Sequence, residues 1–155
     1  MAVDRSRIRV KAFAVLLHPD GTRHAVSRMS TTEHPTLHRP LGGSVELGEP
    51  ALDAAVREIR EELDATLVEP RLLGVLENVF TIDGELGHEV VFVHLGHLAE
   101  ADAVPDEGRP FTDGDVPGWV EWRPIAGDPE VPLFPTGLQE MLEEHLARGR
   151  AARGT

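Results

Sequence analysis

Three glutamates, Glu58, Glu61 and Glu62, fall within five consecutive residues. On a helix, positions 58 and 62 lie one turn apart and 61 stands three residues after 58, so all three carboxylates share a side. Like charges at that spacing destabilise a helix by roughly 0.2–0.5 kcal/mol per pair. A cation placed over them would turn that cost into a binding site. Mg²⁺ suits such a set, because it is a hard ion that takes carboxylate oxygens, keeps several waters and binds substrate phosphates. The plainer alternative is a solvated acidic face in which Arg57 and Arg60 pair with neighbours such as Asp53 and Glu61. The glutamates alone do not separate the two readings.

The bulk sequence narrows the field. The formal net charge is −12 over 155 residues. No basic run is available to displace counterions from a nucleic-acid polymer, so that class of partner is disfavoured. A small anionic substrate would need a cation to mediate its approach. Cysteine is absent, which excludes disulfides, zinc–thiolate sites and thiol nucleophiles. The apolar stretch at 13–17 is too short for a membrane span, and no signal-peptide layout is present. A cytoplasmic location without membrane association is therefore the expectation. Dimers are the commonest soluble assembly, so a homodimer is the default oligomer.

The elements that must position the glutamates can be read from pattern. Residues 8–17 and 23–28 read as a strand pair around the turn Pro19-Asp20-Gly21. Residues 34–39 read as a loop into a short strand, and 40–43 as a turn needing glycine's freedom. The clearest helix spans 50–63, with Pro50 at its first position and an apolar face of Leu52, Val56, Ile59 and Leu63. Strands follow at 72–80 and 89–95, separated by the turn Asp83-Gly84. A Pro/Gly/Asp-rich loop at 105–118 precedes a short strand at 119–123, and an amphipathic helix covers about 136–147. The order gives one mixed α/β domain over 1–155, with flexible tails at about 1–6 and 149–155.

Spacing ahead of the glutamates removes the ambiguity. Gly43, five residues, Glu49, seven residues, then Arg57-Glu58-Ile59-Arg60-Glu61-Glu62 resembles the Nudix box, G-x5-E-x7-R-E-U-x-E-E-x-G-U, with U apolar. Every fixed position matches except the last glycine, which is Asp64 here. Aspartate tolerates the left-handed conformation of a helix-closing glycine, so altered helix-end geometry is expected rather than loss of the metal site. The segments Arg39-Pro40-Leu41-Gly42-Gly43, 76–80 and 87–92 extend the resemblance, toward small bacterial proteins of the ADP-ribose pyrophosphatase-like subgroup.

The resemblance implies a Nudix-type α/β/α sandwich, a mixed β-sheet packed between helices. It implies a pyrophosphohydrolase acting on a nucleoside diphosphate linked to another moiety, such as ADP-ribose, or on a nucleoside triphosphate. The alternative is a catalytically weak nucleotide sensor on the same fold. The cofactor implied is Mg²⁺, with Mn²⁺ as a substitute. Glu58, Glu61 and Glu62 resemble the metal-binding glutamates, with the Gly43 carbonyl completing the coordination. Glu58 and Glu61, with Arg57, are the catalytic candidates, while Glu89, Asp113, Asp115 and Glu121 are alternative bases outside the box. Glu49 and Arg57 resemble a pair that braces the loop, beside Gly42. Arg39 suits a phosphate, and Phe80 and Glu89 complete the substrate candidates, with His34, His38, His88 and Phe111 behind them.

Overall fold

The computed structural model describes residues 6–154. Eight strands and two helices occur in the order β1 (Arg9–Leu17), β2 (Arg23–Met29), β3 (Leu37–Arg39), β4 (Leu41–Ser44), α1 (Ala51–Leu63), β5 (Leu67–Ile82), β6 (Glu85–Leu98), β7 (Arg109–Asp113), β8 (Val116–Pro124) and α2 (Leu138–Arg153). They form one mixed sheet ordered β5-β6-β1-β2-β8-β7, with β1 and β6 parallel. Helices on opposite faces make this the expected α/β/α sandwich.

Alternation along β1 explains the two cores. Ala12, Ala14 and Leu16 face the layer of α1, joined by Ala54, Ala55, Ile59 and Leu63. Phe13 and Val15 face the other way, with Val91, Val93, Leu138 and Leu142 beneath α2. Small alanines on both β1 and α1 let helix and sheet approach closely.

The sheet splits at one place. β1 and β2 pair only at Leu16–Ala25 and Leu17–His24. Beyond that, β4 takes over the edge of β1 and β3 takes over the edge of β2. The chain from Arg39 to Ser44 thus fills the opening between the diverging strands.

Several expectations change in detail. The segment at 40–43 is mostly strand rather than turn, although Gly42 does need glycine at φ 139°. Pro50 caps α1 from outside with extended backbone instead of occupying its first turn. The buried face of α1 is Ala54, Ala55, Glu58, Ile59, Glu62 and Leu63; Leu52 and Val56 are exposed at 39% and 37%. The sheet selected the small residues, and the periodic stripe was offset from them. Asp64 adopts φ 51°, ψ 43° and its N–H donates to the Arg60 carbonyl, so the helix closes as a glycine would close it. No altered helix end results.

Strands β5 and β6 are longer than their apolar runs and join through positive φ at Asp83 and Gly84. The stretch at 105–118 is not all loop. It contains β7, an edge strand, where Pro110 is tolerated. Finally, α2 continues through Arg153, past the tail expected from 149. Residues 1–5 and 155, the remainder of the expected tails, lie outside the described residues.

Candidate active site

α1 turns Glu58 and Glu62 inward, to 8% and 7% exposure, against the filled opening of the sheet. The end of β7 brings Asp113 to the same place, and the three carboxylates offer oxygens within 4.8 Å of one another. The Gly42 N–H donates to Glu62 Oε1 at 3.1 Å. A Cβ on Gly43 would stand 2.5 Å from the Glu58 carboxyl, so the second glycine is what lets that side chain lie against the loop.

The protein balances the charge of this cluster only in part, Arg57 pairing with Glu58 but not with Glu62 or Asp113. Burial pushes the Glu62 carboxyl up to about 9, and the negative charges of Asp113 and Glu58 push the same way; Arg39 and the Gly42 N–H only partly oppose them. Two buried carboxylates and the exposed Asp113 gathered at one place suit a hard divalent cation, whose charge would offset their repulsion. The donor set fits such an ion.

Arg57 holds the surrounding frame. Its Nε and Nη2 donate to both oxygens of Glu49 at 2.8 and 2.9 Å, and Nη2 also reaches the Ser44 carbonyl at 3.1 Å. Its Nη1 donates to Glu58 at 2.9 Å and to Glu61 at 3.3 Å. This fork ties loop to helix, the bracing expected of Glu49 and Arg57. Hydrogen bonds from Arg57 hold the Glu49 carboxyl down to about 2. Glu61 is 57% exposed and is not among the three carboxylates that lie within 4.8 Å of one another; Asp113 is the third of those.

On the α2 side of the opening lies a cavity of about 290 Å³. Arg39, Phe80 and Glu89, the three substrate candidates, all line it, together with Phe13, Asn78 and Phe134. The guanidinium of Arg39 lies 5.3 Å from the Phe13 ring centroid, and its Nε is buried without a hydrogen-bond partner. Because Arg39 also lowers the pKa of Glu62, its charge links cavity and acidic cluster. Phe80 packs its ring over Gly87, where a Cβ would come within 2.3 Å. The Glu89 carboxylate accepts from Arg9 Nη2 at 2.6 Å, so it is already engaged.

Other candidates disperse. His34 lines the cavity and touches the Phe134 ring. His38 instead contacts Glu121 and Arg123 in the interior, and Glu121 is further held by Arg28. His88 pairs with Glu77 at the surface. Phe111 belongs to the core under α1. Asp115 is exposed and is not one of the clustered carboxylates. Sequence reading did not single out Asn78, which lines the cavity, nor Lys11, whose Nζ donates to Ser44 Oγ beside Gly43. A lysine inside the apolar strand RVKAFAVLL was a usable signal, since a charge there is rarely neutral to function or packing. Asn78 carried none; it becomes a cavity residue only when β5 pairs with β6.

Comparison with known proteins agrees with the fold. A family model described as the NUDIX domain matches residues 8–130. Among solved structures, the MutT NUDIX hydrolase from Burkholderia pseudomallei is 25% identical with a TM-score of 0.62, covering 89% of this chain and 98% of its own. The MutT protein from Methanosarcina mazei Go1 is 17% identical with a TM-score of 0.63, covering 94% and 98%. A NUDIX hydrolase from Nitrosomonas europaea is 19% identical at 0.58, covering 92% and 90%. No curated protein matches.

Proposed function

The chain belongs to the Nudix family and is a pyrophosphohydrolase, and from that premise we propose that it is a Mg²⁺-dependent enzyme cleaving a nucleoside diphosphate linked to another moiety, or a nucleoside triphosphate. The observation that carries this reading is the Glu58–Glu62–Asp113 cluster set against Gly42 and Gly43, beside the cavity that Arg39 lines.

In this reading Glu58, Glu62 and Asp113, with the Gly43 carbonyl, hold the cation. Bound there, Mg²⁺ or Mn²⁺ would lower the pKa of a water and neutralise phosphate oxygens. Glu61, held by Arg57 beside Glu58, serves a second cation or the water. Glu58 is the candidate base of the box, since a carboxylate at hydrogen-bond reach can take the proton of the attacking water. Arg57 and Glu49 keep Glu58 and the loop in register. Arg39 takes a phosphate, and Phe80 offers its face to the group beyond the phosphates.

Membership of the ADP-ribose pyrophosphatase-like subgroup, a cytoplasmic location and a homodimer belong to the same proposal. No helix among the described residues is long and apolar enough to cross a membrane. Exposed Val75, Val79 and Leu86 on β5 and β6 support self-association, which light scattering would decide.

The test is a panel of nucleoside triphosphates, ADP-ribose and nucleotide sugars with Mg²⁺ or Mn²⁺, read as release of a nucleoside monophosphate or pyrophosphate. Turnover of one class that stops with chelator supports the reading. Tight binding of a nucleotide with no turnover of any would favour the sensor alternative.

A further inference from the structure

Along β1, alternation places Arg9, Lys11 and Phe13 on one face. Two of them already have defined tasks. Arg9 neutralises Glu89 at the rim of the cavity, and Phe13 lies beneath Arg39. Lys11 stands between them. It pairs across the sheet with Ser44 on β4 and with Val91 on β6. Its Nζ donates to Ser44 Oγ at 3.0 Å. Ser44 directly follows Gly43, the residue whose Cα lies against the Glu58 carboxyl.

We propose that Lys11 is a phosphate-binding residue of this site, its ammonium, held at Ser44 next to the Gly43–Glu58 contact, meeting the anionic linkage of the substrate. The inference rests on the hydrolase reading and adds to it a residue outside the box.

Three observations support it. First, Lys11 and Arg39 form no salt bridge with a carboxylate among the described residues, in a chain whose net charge is −12. Both cations are held near anions yet left with donor capacity. Second, the charges around Lys11 come from both halves of the site. Burial lowers its pKa most; Glu89 then raises it, Arg9 and Arg39 lower it, and Asp113 raises it. Glu89 and Arg39 line the cavity, while Asp113 belongs to the acidic cluster. Third, a half-buried ammonium held by one neutral hydroxyl is costly in the free protein. An arriving phosphate relieves that cost, because a charge-assisted bond forms where only a neutral one existed.

The chemistry selects an anion carrying charge on at least two adjacent phosphates. One would be met by a cation held by Glu58, Glu62 and Asp113, and its neighbour by Lys11 and Arg39. A compound with a single phosphate cannot reach both.

The test is calorimetric titration of inorganic pyrophosphate, with Mg²⁺ present, into the protein and three variants. Lys11→Met removes the charge, Lys11→Gln removes it while keeping a donor for Ser44, and Lys11→Arg retains it. Both neutral variants are expected to weaken binding by about tenfold or more, while Lys11→Arg stays within roughly threefold of the unmodified protein. Orthophosphate, met by the metal alone, should bind all four proteins alike. Pyrophosphate binding within about twofold of normal in a folded neutral variant overturns the assignment. If the unmodified protein still hydrolyses a nucleotide, only the role of Lys11 falls. If the unmodified protein neither binds pyrophosphate nor turns over any nucleotide, the hydrolase reading falls with it.

Discussion

The Gly42 N–H and Glu62 Oε1 meet at 3.1 Å, which fixes the last carboxylate of the box to the loop that precedes it. That bond partly offsets the repulsion from Asp113 and Glu58. Function and stability therefore pull in opposite directions at Glu62. Replacing Glu62 by Gln should lower turnover by roughly 100-fold or more, in line with the loss of a metal-held charge. The same variant, freed of chelatable metal, should melt higher than the unmodified protein at neutral pH, since folding no longer has to protonate a buried carboxyl whose pKa rises from 4.5 to about 9. Activity assays and thermal unfolding in chelator check both; a variant that loses activity and stability together would contradict the electrostatic account.

The two glycines should respond differently to alanine. At Gly42 a Cβ would lie 2.1 Å from the Ala12 carbonyl oxygen, and φ is 139°, so Gly42→Ala should destabilise by about 1–3 kcal/mol. At Gly43 the obstacle is the Glu58 carboxyl, a movable side chain. Gly43→Ala should fold with little loss but displace Glu58 and weaken metal-dependent turnover. Urea unfolding beside Mg²⁺ titration of activity separates the two.

Arg57 donates to Glu49, Ser44, Glu58 and Glu61 at once, a pattern that an ammonium cannot reproduce. Arg57→Lys should therefore cost about 10–100-fold in kcat, comparable to loss of an outer-shell partner. The far-ultraviolet circular dichroism spectrum should stay unchanged. Retention of full kcat would show that the fork does not position Glu58.

Phe80 lines the cavity with its ring packed over Gly87. Phe80→Ala should raise KM for the best nucleotide by roughly tenfold, consistent with one lost stacking platform. Pyrophosphate affinity should be unaffected, because the ring faces the group beyond the phosphates. An equal loss for nucleotide and pyrophosphate would place the phosphates at Phe80 instead.

Acid should destabilise the fold through His24. It is fully buried, and both ring nitrogens lack a hydrogen-bond partner. Burial, then the charges of Arg123 and His38, hold its pKa down from 6.5 to about 3. Between these values the unfolded chain binds the extra proton, so stability rises with pH and is lost as pH falls below 6.5. The slope from this residue is about 1.4 kcal/mol per pH unit. Urea unfolding from pH 7 to 4 should be steeper for the unmodified protein than for His24→Leu; parallel curves would refute the assignment.

The spacing from Gly43 through Glu62 was legible because a helix converts sequence distance into a face, and a short loop leaves its neighbours little choice of position. Local backbone rules thus determined α1, its carboxylates, the Glu49–Arg57 brace and the turn at Asp83-Gly84. Tertiary structure decided the rest. The face of α1 that goes inward was set by the small residues of β1, so Ala54, Ala55, Glu58 and Glu62 are buried while Leu52 and Val56 remain outside. Asp113 joins Glu58 and Glu62 only because β7 and β8 pair at the far edge of the sheet. Arg39 and Asn78 come to one cavity, and Lys11 to Ser44, through the splitting of β1 from β2 and the pairing of β5 with β6. Each of those positions depends on hydrogen-bonded register between distant strands, and register is a property of the assembled sheet rather than of any one segment.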